Sequence, residues 1–490
     1  MAAPEAPAVP IRPVYKGVDP MPEFATPADA YAALIPLAER DPQRPRYHFL
    51  PPAGWMNDPN GTVFHAGQYH LCYQHNPYSG VWVMAQMHWG HAASRDLVHW
   101  THLPIALTPT DPGPDHEGIW SGSVVMDGEV AHAFYTGARP ELQCLATSTD
   151  GLLTWENHTG NPVIAAPPEG LEVAGFRDPH VWREANGWYM VVGSGFAGAG
   201  AALLYRSGNL TDWEYLGPLL AGGNPETGAM WECPDFFPLG DRHVLLIFAT
   251  GFTWYVVGDW TGGVFTPERW GKLDWGPSFL AARTLIDDEG RRIIFGWDGE
   301  MRPEEALEAA GWGGVMSLPR VLSLNERGEV VAEPAPELQA LRGERHEASA
   351  DLAAGQTVAL REIAGDCLEL SAEIESAGEV AVLVRRSPGG EEETAIRWDP
   401  AAGTVSLDLE GSSLDPAVVW RGVYPAPVHV APGEPLRLRV FVDRSLVEVF
   451  AQGRVCLTGR MYPTRADSLG VALCSQESAT VEVEAWGMSL

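Results

Sequence analysis

Four tryptophans fall at nearly even intervals, and each closes a segment of the same design. Ser94-Arg95-Asp96-Leu97-Val98-His99-Trp100 recurs as Ser148-Thr149-Asp150-Gly151-Leu152-Leu153-Thr154-Trp155. It recurs again as Ser207-Gly208-Asn209-Leu210-Thr211-Asp212-Trp213, and more faintly as Val264-Phe265-Thr266-Pro267-Glu268-Arg269-Trp270. The tryptophans are 55, 58 and 57 residues apart. Between them run short β-rich stretches such as Gly187-Trp188-Tyr189-Met190-Val191-Val192-Gly193 and Val244-Leu245-Leu246-Ile247-Phe248-Ala249. A period of about fifty residues with roughly four short strands per unit is what a β-propeller blade requires, since one small sheet cannot bury its own faces and must stack on its neighbours. Four marked units and a last one, around Arg291-Arg292-Ile293-Ile294-Phe295-Gly296-Trp297 and Leu318-Pro319-Arg320, predict five blades.

Beyond residue 331 the texture changes. Glu333-Pro334-Ala335-Pro336-Glu337 reads as a linker and Leu338 to Glu344 as a short helical stretch. Alternating strands follow, such as Leu436-Arg437-Leu438-Arg439-Val440-Phe441-Val442 and Leu446-Val447-Glu448-Val449-Phe450, a pattern suited to a β-sandwich with one face solvated. The 53 Gly and 41 Pro favour this turn-rich, all-β reading. The expected organisation is an N-terminal extension over 1–44 with a short helix at 28–40, a five-bladed β-propeller over 45–330, a linker over 331–345 and a C-terminal β-sandwich over 346–490.

A net charge of −32 disfavours nucleic acid and anionic membranes as partners, because both would be repelled. Only Lys16 and Lys272 are lysines among the 32 basic residues. No stretch approaches the ~18 apolar residues of a membrane span, and residues 1–44 contain no charged segment leading into an apolar run, so no signal peptide is visible. Six cysteines (72, 144, 233, 367, 456, 474) lack a framework spacing. Reduced thiols and a cytoplasmic location fit these features, although a chain trimmed of a leader would look the same. Nothing in the sequence speaks to oligomeric state.

The chemistry is carried by three acids far apart in sequence: Asp58 in Trp55-Met56-Asn57-Asp58-Pro59-Asn60-Gly61, Asp178 in Phe176-Arg177-Asp178-Pro179, and Glu232 in Trp231-Glu232-Cys233-Pro234-Asp235. Each has an aromatic nearby and a proline one or two residues on, which stiffens the backbone. Two facing carboxylates are the minimum equipment for cleaving a glycosidic bond. A third acid and abundant Trp to stack on sugar faces make glycoside chemistry the first expectation.

At these residues, and at Tyr73-Gln74-His75-Asn76-Pro77, His88-Trp89-Gly90-His91-Ala92, Trp120-Ser121-Gly122-Ser123, Met316-Ser317-Leu318-Pro319-Arg320 and Val440 to Phe450, the chain resembles family 32 of the glycoside hydrolases. These are the β-fructofuranosidases, which include invertase and fructan exo-hydrolases. The resemblance runs from about Tyr47 to the C-terminus. It implies that Asp58 is the nucleophile, Glu232 the general acid/base, and Asp178 the acid that binds fructose hydroxyls and stabilises the transition state. Asn57, Gln74, Trp82, Trp120, Ser121 and Arg177 match positions that contact the sugar, and no cofactor or metal is implied. Gly80-Val81-Trp82-Val83-Met84 departs from the usual glycine after that aromatic. Leu280 stands where the family often has Tyr, and Asp298 to Met301 supply no second aromatic after Trp297. Asp274 matches a motif acid, with a structural role equally open.

Local chemistry suggests how the acids divide their labour. The polar turn around Asp58 should hold it ionised, Glu232 should be the more desolvated group with a raised pKa, and Arg177 should keep Asp178 ionised. The expected activity is an exo-acting, retaining hydrolase releasing terminal β-D-fructofuranosyl units from sucrose, fructo-oligosaccharides or fructans. Rivals are a fructosyltransferase using the same covalent intermediate, an inverting five-bladed pentosidase, and a non-catalytic fructan-binding protein. The pairs His88/His91 and His70/His75 lack further ligands at zinc spacing, so hydrogen-bonded core histidines are expected there. Cys233 lacks a triad histidine and is expected to tune its neighbour.

Overall fold

The computed structural model describes residues 24–419 and 421–490. The chain folds as a five-bladed β-propeller followed by a β-sandwich. Each blade is an antiparallel sheet whose first strand is innermost: Gly54–His65, Ile119–Asp127, Phe176–Glu184, Glu232–Leu239 and Phe279–Ile286. These five strands touch one another in sequence, and the fifth touches the first, so they ring a central axis. Closure is reinforced by Trp312–Gly313, from a long excursion within the fifth blade, which pairs in parallel with Gly54 and Trp55. Tight hairpins keep the strands in register. Ala66-Gly67, for example, turns the first strand into the second with both residues at positive φ, the geometry that matches the twist of flanking strands.

The tryptophan-marked segments are the corners between third and fourth strands. In three of them a serine hydroxyl donates to an Asx carboxylate or amide oxygen two residues on: Ser94 to Asp96 at 3.0 Å, Ser148 to Asp150 at 2.9 Å and Ser207 to Asn209 at 3.1 Å. A leucine then takes a left-handed conformation (Leu97, Leu152, Leu210), and the indoles of Trp100 and Trp213 donate back to the carbonyls of Leu97 and Leu210. The fourth segment differs. Val264–Lys272 is a continuous strand entered through a Gly262-Gly263 hairpin, so Trp270 lies within a strand and shares the spacing without sharing the corner.

The stretch read as a linker is structured: Val330–Pro334 is the outer strand of the fifth blade, and Pro336–Leu341 is a 3₁₀ helix leading into strand Arg342–Leu352. Residues 1–23 of the expected N-terminal extension lie outside the described residues. The helix expected at 28–40 spans Pro27–Ala38, with Thr26 as N-cap, and packs on the short helix Glu304–Ala310. Among the described residues no helix is long and apolar enough to cross a membrane.

Two six-stranded sheets form the sandwich around a core that includes Leu436, Leu438, Val440, Val382 and Leu473. The expectation of one solvated face fails at Leu446–Ala451, which is buried on both faces. Its second face meets the propeller through charged groups. Glu448 accepts from Arg320 at 2.7 Å, and Arg320 also reaches Asp274 at 2.8 Å. His48 lies 3.2 Å from Glu448 and 2.8 Å from Asp443. Asp274 accepts from the amide and hydroxyl of Thr458, so its role is structural.

Candidate active site

One local distortion repeats in all five blades. At the start of each innermost strand, three steps along it face two steps along the second strand. The flanking partners are Met56↔His75 and Pro59↔Tyr73, Ile119↔Gly137 and Gly122↔Tyr135, Arg177↔Gly193 and His180↔Val191, Glu232↔Phe248 and Asp235↔Leu246, and Leu280↔Trp297 and Arg283↔Phe295. Each is a one-residue bulge, which bends a strand and re-aims its side chains. The bulged pairs are Asn57-Asp58, Trp120-Ser121, Asp178-Pro179, Cys233-Pro234 and Ala281-Ala282. Asp178 (φ 66°), Cys233 (φ 49°) and Ala281 (φ 50°) are left-handed, a conformation a non-glycine residue adopts only when its surroundings hold it there.

The bulges of the first, third and fourth blades bring the three acids together. Asp58 accepts from Ser121 Oγ at 2.5 Å and from Asn57 Nδ2 at 3.0 Å. The Cys233 thiol lies 3.6 Å from Asp58 Oδ2 and 3.6 Å from Asp178 Oδ2. Asp178 Oδ2 also accepts from the Cys233 amide at 2.9 Å, while the Asp178 amide donates to Thr136 Oγ1 at 2.9 Å. Glu232 Oε1 receives Arg177 Nη2 at 2.6 Å and Nε at 3.2 Å. A second carboxylate, Glu141, holds the other side of that guanidinium at 2.8 Å and accepts from the Phe176 amide. Cys233, expected to tune its sequence neighbour Glu232, instead contacts the two aspartates.

The electrostatics reverse parts of the sequence reading. Asp58 sits in a strand bulge and not in a turn, and against the expectation of a carboxylate held ionised its carboxyl lies above the ordinary value. Burial pushes its carboxyl up, the Ser121 and Asn57 bonds pull it down, and nearby Glu232 adds to the rise. Burial pushes Asp178 up to about 6, although Arg177 pulls the other way. Arg177 does not pair tightly with Asp178, from which its Nε is 4.0 Å; it spends its short contacts on Glu232 and Glu141. Glu232 is not the most desolvated acid either: 21% of its side chain is exposed, against 5% for Asp178.

Among the expected sugar-contacting residues, Asn57, Ser121 and Arg177 meet the acids directly. Trp120 presents its ring to the Arg177 guanidinium, 5.9 Å from the ring centroid. Gln74 is buried behind them and donates to the Ile119 carbonyl at 2.9 Å, tying the first blade to the second beside Trp120. Trp82 packs on an apolar wall with Trp55, Val81, Met87 and Leu307. Trp55 crosses Trp297 edge-on at 5.8 Å and donates to Asn57 Oδ1 at 2.8 Å, so this wall positions Asn57. Leu280 fills a neighbouring apolar patch with Phe248, Cys233 and Trp297. No aromatic is needed just after Trp297, because that segment turns to the sandwich: Met301 packs with Val418 and Tyr462, and Glu300 binds Arg302 and Tyr462.

Glu141, Thr136 and Arg283 were not singled out from sequence. Glu141 and Thr136 lie in ordinary-looking context. Arg283, fully buried in the run Leu280-Ala281-Ala282-Arg283-Thr284-Leu285, carried the one available signal, a cation in an otherwise apolar strand. The histidines are engaged in packing contacts. His70 Nδ1 is 3.1 Å from His91 Nε2, His88 Nδ1 is 2.6 Å from the Gln86 carbonyl, and His75 bridges Tyr31 and the Trp55 carbonyl.

The family models described as Glycosyl hydrolases family 32 N-terminal domain and Glycosyl hydrolases family 32 C terminal match residues 48–334 and 337–487. A sucrose-6-phosphate hydrolase of Zymomonas mobilis is 35% identical over 476 residues, covering 89% of this chain and 90% of its own. A raffinose invertase of Escherichia coli is 34% identical, covering 91% and 95%. The crystal structure of fructan 1-exohydrolase IIa from Cichorium intybus superposes with a TM-score of 0.85 at 28% identity, covering 92% of this chain and 98% of that one.

Proposed function

The chain belongs to glycosyl hydrolase family 32, and on that premise we propose that it is an exo-acting, retaining β-fructofuranosidase releasing terminal β-D-fructofuranosyl units from sucrose, related fructo-oligosaccharides or fructans. The observation that carries the reading is the convergence of Asp58, Asp178 and Glu232, each at the bulge of its own blade, with Cys233 between the two aspartates. In this reading Asp58 attacks the anomeric carbon, and the fructosyl–oxygen bond breaks as Glu232 gives its proton to the leaving oxygen. Arg177 donates twice to Oε1 of Glu232 and so fixes the orientation of that carboxyl towards the leaving oxygen. The fructosyl ester on Asp58 is then opened by water, whose proton returns to Glu232. Asp178, set deep in the site, binds ring hydroxyls and meets the positive charge that develops on the sugar. Sugar contacts are assigned to Asn57, Ser121, Arg177, Trp120 and Trp82, while Gln74 backs the Trp120 strand.

The relatives' names share a fructosyl unit and differ in what leaves it, so the reading commits to the fructosyl side. The six cysteines are free thiols, the state a reducing cytoplasm maintains, and the proposal places the enzyme there. The test is incubation with sucrose, sucrose-6-phosphate, raffinose, inulin and levan, with early-time NMR of the products at low temperature. β-Fructofuranose released first supports the double displacement; α-fructofuranose first overturns the nucleophile assignment. Kestose-type products dominating at high sucrose would instead assign a fructosyltransferase.

A further inference from the structure

Arg283 comes from the fifth blade, whose bulge, like that of the second, carries no acid, and it is 1% exposed. One arm of its guanidinium donates to the Pro234 carbonyl and the other to the Asp178 carbonyl at 3.2 Å. Both carbonyls lie inside bulges, where the extra residue takes backbone groups out of the ladder. A buried carbonyl left without a donor is costly, and a planar fork of donors can serve two at once. Two left-handed residues, Asp178 and Cys233, sit at these sites and need such external support. Among the described residues Arg283 makes no direct ion pair, and its Nε has no partner. Its charge lowers both the Asp178 carboxyl and the Cys233 thiol, partly opposing the rise that burial imposes on each.

We propose that Arg283 is a positioning residue for the whole acid cluster: reaching across from the fifth blade, it clamps the bulges of the third and fourth blades that present Asp178, Cys233 and, one residue before the second bulge, Glu232. The inference rests on the functional reading above. It goes beyond it in assigning the fifth bulge a task, which is to deliver a cation beneath the site instead of a carboxylate into it. The groups facing Asp178 are Arg177, Glu232, Asp58, Cys233 and Arg283. Arg177 lowers it more strongly although it is also engaged by Glu232 and Glu141, and Arg283 adds to that effect.

Two full-length variants test this, Arg283→Lys and Arg283→Met, each examined by sucrose kinetics from about pH 4 to pH 8 and by crystal structure. Arg283→Lys keeps the charge but loses the fork, so kcat should fall by about 10²-fold with little change in KM and with the acid limb of the profile in place. Arg283→Met also loses the charge. The Asp178 carboxyl should then rise, and since it works ionised, the acid limb should move to higher pH. In both structures the Asp178 and Cys233 backbones should shift. Activity within threefold of wild type with both bulges unmoved overturns the proposal. Should Arg283→Met not fold, Arg283→Lys decides it. If the wild-type enzyme is inert towards every β-fructofuranoside, the functional reading fails by itself, and the bulge positions in the Arg283→Lys structure alone decide the clamp.

Discussion

Asp58 receives a hydroxyl, an amide and a thiol from three different side chains, which fix its orientation in the site. Asp58→Asn is nearly isosteric and keeps the Ser121 contact, so the fold should stand while sucrose turnover falls by about 10⁴-fold or more; activity within tenfold of wild type would remove the assignment. Asp178 presents a different balance. Its folded pKa of about 6 lies above the ordinary value of 3.8, so the ionised carboxylate is held at a cost in stability. That cost is absent below the ordinary carboxylate pKa, grows as pH rises through about 6 and is complete above it. Asp178→Asn should therefore lower kcat and kcat/KM together while raising thermal stability at neutral pH, by up to about 3 kcal/mol. The gain should disappear in melts below about pH 4. A variant destabilised at neutral pH would show that Arg177 and the Cys233 amide more than offset the burial.

At the scale of elements, the site depends on how closely neighbouring blades approach. Gly200, in the third strand of the third blade, lies under the Trp231 indole; a Cβ there would stand 2.1 Å from Trp231 Cδ1. Trp231 is fully buried and directly precedes Glu232. Gly200→Ala should force the indole aside, cost about 1–3 kcal/mol, and lower kcat by displacing the acid that follows. Calorimetry alongside sucrose kinetics checks it, and unchanged values in both would show that the two blades can separate freely. The bulges belong to this scale as well. They are pairing events between strands, so a periodicity of Ser-x-Asx-Leu corners could mark the blades without revealing that each blade is also distorted at its opposite end.

Across the whole molecule, the propeller and the sandwich are joined by the buried chain Asp274, Arg320, Glu448, His48 and Asp443. Burial alone would lower the His48 pKa, but its bonds to Asp443 and Glu448 outweigh that and raise it to about 9. A histidine with a raised folded pKa contributes stability that is fully present below its ordinary value of 6.5 and lost as pH rises through about 9. Melting temperature should therefore fall between those limits, and His48→Gln should flatten that fall while being less stable than wild type at pH 6 or below. An equal alkaline loss in both proteins would place the titrating group elsewhere.

Much of this was legible in the chain itself. The tryptophan period marks four of the five blades because each blade is a local unit that must bury its faces against the next, and in three of them the corner residues make their hydrogen bonds within a few positions of one another. Asp58, Asp178 and Glu232 were legible for the same reason, each framed by neighbours that stiffen its own backbone. What tertiary structure decided is everything that needs two distant segments at once. Arg177 stands next to Asp178 in sequence yet pairs with Glu232 and Glu141, because the bulge at Asp178 turns successive side chains apart. Glu448 sits in an alternating strand that reads as half-solvated, and only the docking of the sandwich on the propeller supplies Arg320 and His48. Arg283 was visible as a charge in an apolar strand, but the two carbonyls that account for it belong to other blades, and sequence carries no measure of that distance.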